Sequence, residues 1–247
     1  MMDQSSSNAP IFEPKPGPAG WISVWVKAIS RPSEQTFIEI TESPDATSKT
    51  AFIWVFIAST LSALVSGLLG ALLAVAGFER QMPGLGQFMR GGAPRAVAGT
   101  GFIGAICGAP VAGLVSVLFF AIGVAIVQWV AKLFKGAGTF DKLAYAYASI
   151  TVPITLISMF LTPLGAIPYV GICTGLLSVG IGLYALFLQI AATKAVNRFG
   201  WGAAAGSVFL PLFVVFMICF CVAVALGMVL GPAIGNVFRQ INQGLAP

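Results

Sequence analysis

The stretch Lys135-Gly-Ala-Gly-Thr-Phe-Asp-Lys142 is the part of this chain that comes nearest to a chemical motif, with Gly136 and Gly138 set between two lysines. Glycines let backbone amides close on a phosphate and lysines supply positive charge, but no strand precedes the stretch, and its spacing is neither the Walker nor the dinucleotide pattern. It reads as a turn in which Thr139 caps the helix that follows. Lys135 and Lys142 are then candidates to contact a lipid headgroup.

Other reactive side chains are sparse. The chain has no histidine, and Cys107, Cys173, Cys219 and Cys221 all fall in apolar runs. A Cys/His metal site is therefore excluded, and the thiols read as small hydrophobic packing groups. Gln128 and Gln189 stand near the ends of otherwise apolar stretches. Such amides either bond to another helix or contact a polar substrate, and interhelical polar contact is the simpler expectation. Outside the N-terminal tail the acids near the apolar runs are Glu79 and Asp141, which fall on opposite sides. No nucleophile with an adjacent base can be assembled, so the sequence predicts no catalytic, cofactor-binding or metal-binding residues and no enzymatic activity.

The elements that position these residues have to be membrane helices. Hydrophobic residues make up 57% of the 247 and charged residues 9%, and the mean hydropathy is +0.94, so polar side chains are too few to cover a soluble surface. Crossing a hydrocarbon layer of about 30 Å takes roughly 20 apolar residues, and the gaps between charges set the count. Ala51 to Phe78, bounded by Lys49 and Glu79, holds one span at about 52–76. Between Arg95 and Lys132 the run is too long for one span and too short for two; the Gly108-Ala109-Pro110 break places a span at about 108–131. Residues 96–107 then extend that helix, lie at the interface or dip into the membrane. The run from Lys142 to Lys194 holds a hairpin of spans at about 144–162 and 169–192, its turn bracketed by Pro163 and Pro168. A last span, about 206–230, is expected to end at Gly231-Pro232 and leave a short outer tail, 232–247. The fold class is thus an all-α integral membrane protein, a bundle of five transmembrane helices.

The opening residues have no apolar signal region, so the first span is expected to insert itself, behind a disordered tail at 1–19. Lys and Arg sort by side: Lys15, Lys27, Arg31, Lys49, Lys132, Lys135, Lys142, Lys194 and Arg198 fall on one, against Arg80, Arg90, Arg95 and Arg239 on the other. The bias places the N-terminus in the cytoplasm and the C-terminus outside.

Residues 20–43 form an arm of their own. Trp21, Val24, Trp25, Ala28 and Ile29 recur with helical period, opposite Ser23 and Lys27. This predicts a short amphipathic interfacial helix, stopped by Pro32. Ser33 caps a second piece whose Phe37, Ile40 and Thr41 face one way. The arm either covers the ends of the spans or docks a partner or the membrane, with Trp21, Trp25 and Phe37 as the candidate contacts. Small residues at four-residue spacing (Ala63/Gly67, Ser66/Gly70, Gly104/Gly108, Gly171/Gly175, Gly202/Gly206, Gly231/Gly235) predict close helix packing.

Two groups of residues resemble a known family. Trp25, Pro32, Ser33, Thr36, Phe37 and Ile40 in the arm, then Gly136, Gly138, Thr139, Phe140, Leu143, Tyr145, Ala146 and Pro153, are similar to the Yip-domain family, the Ypt/Rab-interacting membrane proteins and their prokaryotic relatives. The resemblance covers most of residues 21–230 and implies a five-span Yip-like domain at 50–231, a cytoplasmic N-terminus and no enzymatic activity. Eukaryotic members are linked to Rab GTPases, vesicle traffic and membrane shaping. This chain lacks their long acidic or Pro-rich cytoplasmic domain and the "DLWGP"-type motif before span one, so GTPase binding does not follow. Its compact tail, Gly/Ala-rich spans and absence of histidine point to a bacterial cytoplasmic membrane and a prokaryotic-type member. The expected function is interaction, as a scaffold, assembly factor or accessory subunit. The expected partners are the lipid bilayer and another membrane protein or a second copy, with no nucleic acid and no cofactor. The rival reading is a carrier or channel for a small solute; the spans carry no ionisable residue of the kind that marks ion-coupled transport.

Overall fold

The computed structural model describes residues 18–75, 101–165 and 170–244, and within them every regular element is an α-helix. In chain order these are α1 (Pro18–Ser30), α2 (Glu34–Thr41), α3 (Ser48–Val75), α4 (Gly101–Leu133), α5 (Phe140–Leu164), α6 (Val170–Asn197) and α7 (Trp201–Gly244). Five of them hold runs long and apolar enough to cross a bilayer: Ser48–Leu72, Ile103–Leu133, Phe140–Leu164, Val170–Asn197 and Trp201–Ala225. The spans close into a ring in the order α3, α4, α7, α6, α5, with α4 also touching α5 across it.

Two expected breaks are absent. Helix α4 begins at Gly101 and runs through Gly108-Ala109-Pro110, so residues 101–107 extend the span. Helix α7 passes Gly231-Pro232, the expected end of the last span, and continues through the expected short tail to Gly244. A proline costs a soluble helix one hydrogen bond and a steric clash. At Pro110, within the apolar run Ile103–Leu133, the alternative in lipid is worse, because irregular backbone exposes several unsatisfied groups, so the helix carries on past the proline. Pro153 and Pro163 likewise sit inside α5. Residues 1–17, the segment 76–100 with its three expected outer arginines, most of the expected hairpin turn (166–169) and residues 245–247 lie outside the described part.

Burial is concentrated at one end of the bundle. Leu143 to Ile150 of α5 are all buried, as are Ala191 to Thr193 and Ala195 to Asn197 of α6 and Val127, Gln128, Val130 and Ala131 of α4. Elsewhere the helices turn large apolar side chains outward, such as Phe119 on α4 and Phe216 on α7. Hydrocarbon chains solvate such groups as well as a protein core does. The four cysteines follow the same rule: expected as packing groups, all are exposed on the outside of the bundle.

Spans α3 and α4 pack closely through small residues. A Cβ added at Gly113 would run into the Thr60 hydroxyl and the Phe56 ring, and one at Gly67 would lie 2.8 Å from the Ala105 Cβ. By contrast, Gly70, Gly108, Gly175 and Gly202 face open space, so only part of the small-residue spacing is used inside this chain. Gly113→Ala is therefore expected to lower stability by about 2 kcal/mol, because the Thr60 hydroxyl and the Phe56 ring must both shift to admit the methyl group. Gly108→Ala, on the same helix, should stay within about 0.5 kcal/mol of wild type. Melting curves of the two detergent-solubilised variants decide it; equal midpoints would mean that α3 and α4 do not meet through Gly113.

Candidate functional site

Every described Lys and Arg side chain lies at the end of the bundle where burial is densest, which is built from the arm, the start of α3, α5 and α7 and the close of α4 and α6. Two assemblies make up this end.

The first is the arm. Val24 and Ala28 of α1 are buried, and the Trp21 and Trp25 rings pack on Trp54 of α3 with centroids 5.9 and 5.5 Å away. Trp54 itself is 1% exposed and lies 4.8 Å from the Tyr145 ring of α5. The indole N–H groups of Trp25 and Trp54 find no acceptor among the described residues, so ring contact and not hydrogen bonding holds the cluster. Ser33 caps α2, its hydroxyl accepting from the Thr36 amide at 3.1 Å. Thr36, Phe37, Ile40 and Thr41 are buried on one face of α2. Phe37, at 0% exposure, is enclosed by the chain's own core, which leaves it no face for a partner in this conformation.

Charge and hydrogen bonds complete the docking. Glu34 and Glu42 of the arm pair with Lys194 and Arg198 at the end of α6, Lys27 of α1 pairs with Glu39 of α2 at 2.6 Å, and the Tyr184 hydroxyl donates to the Ile29 carbonyl at 2.6 Å. The hydrogen bond from the Lys27 ammonium holds the Glu39 carboxyl below its ordinary value, against a smaller upward push from burial. A carboxylate with a depressed folded-state value stabilises the fold above its ordinary value, and that contribution disappears as the pH falls through the folded one. Once corrected for the slower intrinsic exchange in acid, amide exchange in α1 and α2 is thus expected to speed up slightly as the pH falls from neutral to below the usual carboxylate range. The effect is small because Glu39 stands largely in water. Unchanged exchange would mean that the pair contributes nothing to holding the two arm helices together.

The second assembly is the Lys135–Lys142 loop. Helix α4 ends with the Lys135 amide bonded to the Lys132 carbonyl at 3.0 Å and the Gly136 amide to the Ala131 carbonyl at 2.9 Å, with Lys135 at φ 62°. This is the six-residue closure that usually places glycine at the left-handed position. It turns the chain back under α4, where the Gln128 side chain donates to the Gly138 carbonyl at 2.7 Å. Asn197, at the end of α6, accepts from the Gln128 amide and the Gly138 N–H, both at 3.2 Å, and donates to the Thr193 carbonyl at 3.1 Å. The Asn197 carbonyl takes the Ala137 N–H at 3.1 Å. Thr193 in turn shares a 2.8 Å hydrogen bond with the Tyr147 hydroxyl, tying α6 to α5. Thr139 caps α5 through the Lys142 amide at 3.5 Å.

The two glycines are explained by Asn197. A Cβ at Gly136 would lie 2.6 Å from the Asn197 Oδ1 and 2.9 Å from the Ala131 carbonyl oxygen; at Gly138 it would lie 2.7 Å from that Oδ1 and 2.8 Å from the Val196 carbonyl oxygen. The Gly138 amide that a phosphate cradle would need is already given to a side chain. What the loop turns outward is Lys135, with Lys142 partly buried beside the start of α5.

Gln128, expected to bond between helices or to meet a substrate, is 4% exposed and bonds to α6. Gln189 is partly buried, and its carbonyl takes the Thr193 hydroxyl. Trp54, Asn197 and Tyr184 did not stand out in the sequence. Asn197 had one local signal, an amide side chain closing an apolar span, while Trp54 looked like any apolar residue. At the other end of the bundle a shallow groove of about 260 Å³ between α5 and α6 is lined by Ser158, Thr162, Thr174 and Ser178 among others. The hydroxyls of Thr162, Thr174 and Ser178 donate to carbonyls of their own helices.

A family model described as the Yip1 domain matches residues 26–224. No curated protein and no solved structure matches the chain.

Proposed function

Because the chain belongs to the Yip1 domain family, a family of membrane proteins, we propose that this integral membrane protein works by interaction and not by catalysis, as a scaffold, assembly factor or accessory subunit of a membrane complex. The membrane is a bacterial cytoplasmic membrane, with the N-terminus in the cytoplasm, in keeping with the gathering of lysines and arginines at the arm-bearing end. The observation that carries the proposal is the division of labour in α1. The helix turns its tryptophans onto Trp54 and leaves Ile22 and Val26, 56% and 58% exposed, on its outer face. A docked arm with an apolar outer strip presents a fixed surface to another membrane protein or to a second copy, and it does so without ordering a free tail on binding.

The test is a pull-down of the natively expressed full chain in mild detergent, resolved on a native gel and identified by mass spectrometry. Ile22→Ser/Val26→Ser and Trp21→Ala/Trp25→Ala are run beside wild type. A stoichiometric partner, or a second copy, that is present with wild type and lost in both double variants is the expected result. Retention by the Ile22/Val26 variant would move the contact off the outer face of α1. A wild-type protein that runs alone would overturn the interaction reading and make saturable solute flux, in vesicles holding only this protein, the next property to measure.

A further inference from the structure

The charges at the arm-bearing end are unevenly compensated. On the arm side Glu34, Glu39 and Glu42 meet Lys194, Lys27 and Arg198. On the α4–α5 side Lys132, Lys135 and Lys142 have no ion pair among the described residues, and the acid there, Asp141, faces the Ser48 amide at 3.4 Å. These lysines are not on a loose loop. Gln128 and Asn197 hold the backbone between them from inside, and the closing turn of α4 sets the direction of Lys135.

Directly beside them the last turns of α4 expose Trp129 at 65% and Leu133 at 63%. Trp129, Lys132 and Leu133 are spaced to share one side of the helix. An exposed indole and a leucine on the membrane side, with fixed lysines at the end of the helix, are complementary to a lipid with an acyl chain and a negative headgroup. We propose that this end of α4 binds an anionic phospholipid, its phosphate held by Lys132, Lys135 and Lys142 and its chain laid along Trp129 and Leu133. The proposal goes beyond the interaction reading and does not depend on whether α1 docks a partner.

The experiment is native mass spectrometry of the full chain in detergent supplied with equimolar phosphatidylglycerol and phosphatidylcholine. Wild type is expected to retain phosphatidylglycerol preferentially. Each of Lys132→Gln, Lys135→Gln and Lys142→Gln should cut the preference by about fivefold, while the Lys→Arg counterparts keep it. Trp129→Ala should reduce retention of both lipids. The lysines lie outside the core, so melting midpoints of the Gln variants should match wild type and separate lost binding from lost folding. Equal retention of the two lipids by wild type, or an undiminished preference in the triple Gln variant, would overturn the proposal. Displacement of the lipid by inorganic phosphate would also overturn it, by making the site one for a free anion.

Discussion

Asn197→Ala should lower the melting temperature of the detergent-solubilised protein by about 10 °C, the largest effect expected of a polar substitution in this chain. Asn197 is 1% exposed and joins three segments, α4 through Gln128, the loop through Gly138 and its own helix through Thr193. Alanine would leave the Gly138 N–H without its acceptor and the Gln128 amide with the Gly138 carbonyl as its sole described acceptor, at a depth where water does not substitute. Each buried group left unsatisfied costs about 1–3 kcal/mol, and the total comes to about 4 kcal/mol. Asn197→Asp is no rescue. It keeps an acceptor for Gly138 but loses the amide that donates to the Thr193 carbonyl, and it places a charge among buried groups. A midpoint within about 1 °C of wild type for Asn197→Ala would show that the loop is not held from α6.

Trp54→Ala is the second large effect, and it should act on the arm more than on the bundle. Trp54 is the shared contact of Trp21, Trp25 and Tyr145. Loss of a buried tryptophan costs about 3–5 kcal/mol in a soluble core, and the lower end applies here because α3 borders lipid that can partly replace the lost contacts. Once the rings have nothing to close on, the arm is left with Phe37, Ile40, the Tyr184–Ile29 hydrogen bond and two ion pairs to the end of α6 whose acids are partly in water. Exposed pairs contribute about 0–1 kcal/mol each. Amide exchange in α1 is expected to rise about a hundredfold in Trp54→Ala, while the cores of α4 and α5 change little. Glu34→Gln, which removes one ion pair and leaves the rings in place, should raise exchange only a few-fold. If the two variants loosen α1 equally, charge and not ring packing docks the arm.

Much of this architecture was legible in the chain. The number of spans followed from the intervals between charges, because a charge in hydrocarbon is costly enough to fix where a helix may not lie. The caps at Ser33 and Thr139 and the inward face of α1 followed from short-range rules, since each depends on residues within two turns of one another. The resemblance to the Yip-domain family rested on arm residues from Trp25 to Ile40, of which Trp25 falls just before the matched region and the others inside it, and on the stretch from Gly136 to Pro153, which lies within it.

Other features belong to the tertiary structure alone. Gly136 and Gly138 looked like a turn or a weak phosphate cradle, and what requires them is an asparagine 59 residues beyond Gly138. Nothing in the local sequence names that partner. Pro110 and Pro232 looked like ends of helices and are not; at Pro110, inside an apolar span, a helix with one missing hydrogen bond is cheaper in lipid than an open turn. The faces of the spans were equally unreadable. Gly113 meets Thr60 while Gly108 meets nothing, and the cysteines point outward. In water the contrast between apolar and polar residues marks the inner face of a helix. In a bilayer the surroundings are as apolar as the core, so the chain alone determined which segments enter the membrane, and only side-chain shape and buried hydrogen bonding in the assembled bundle decided which sides of them meet.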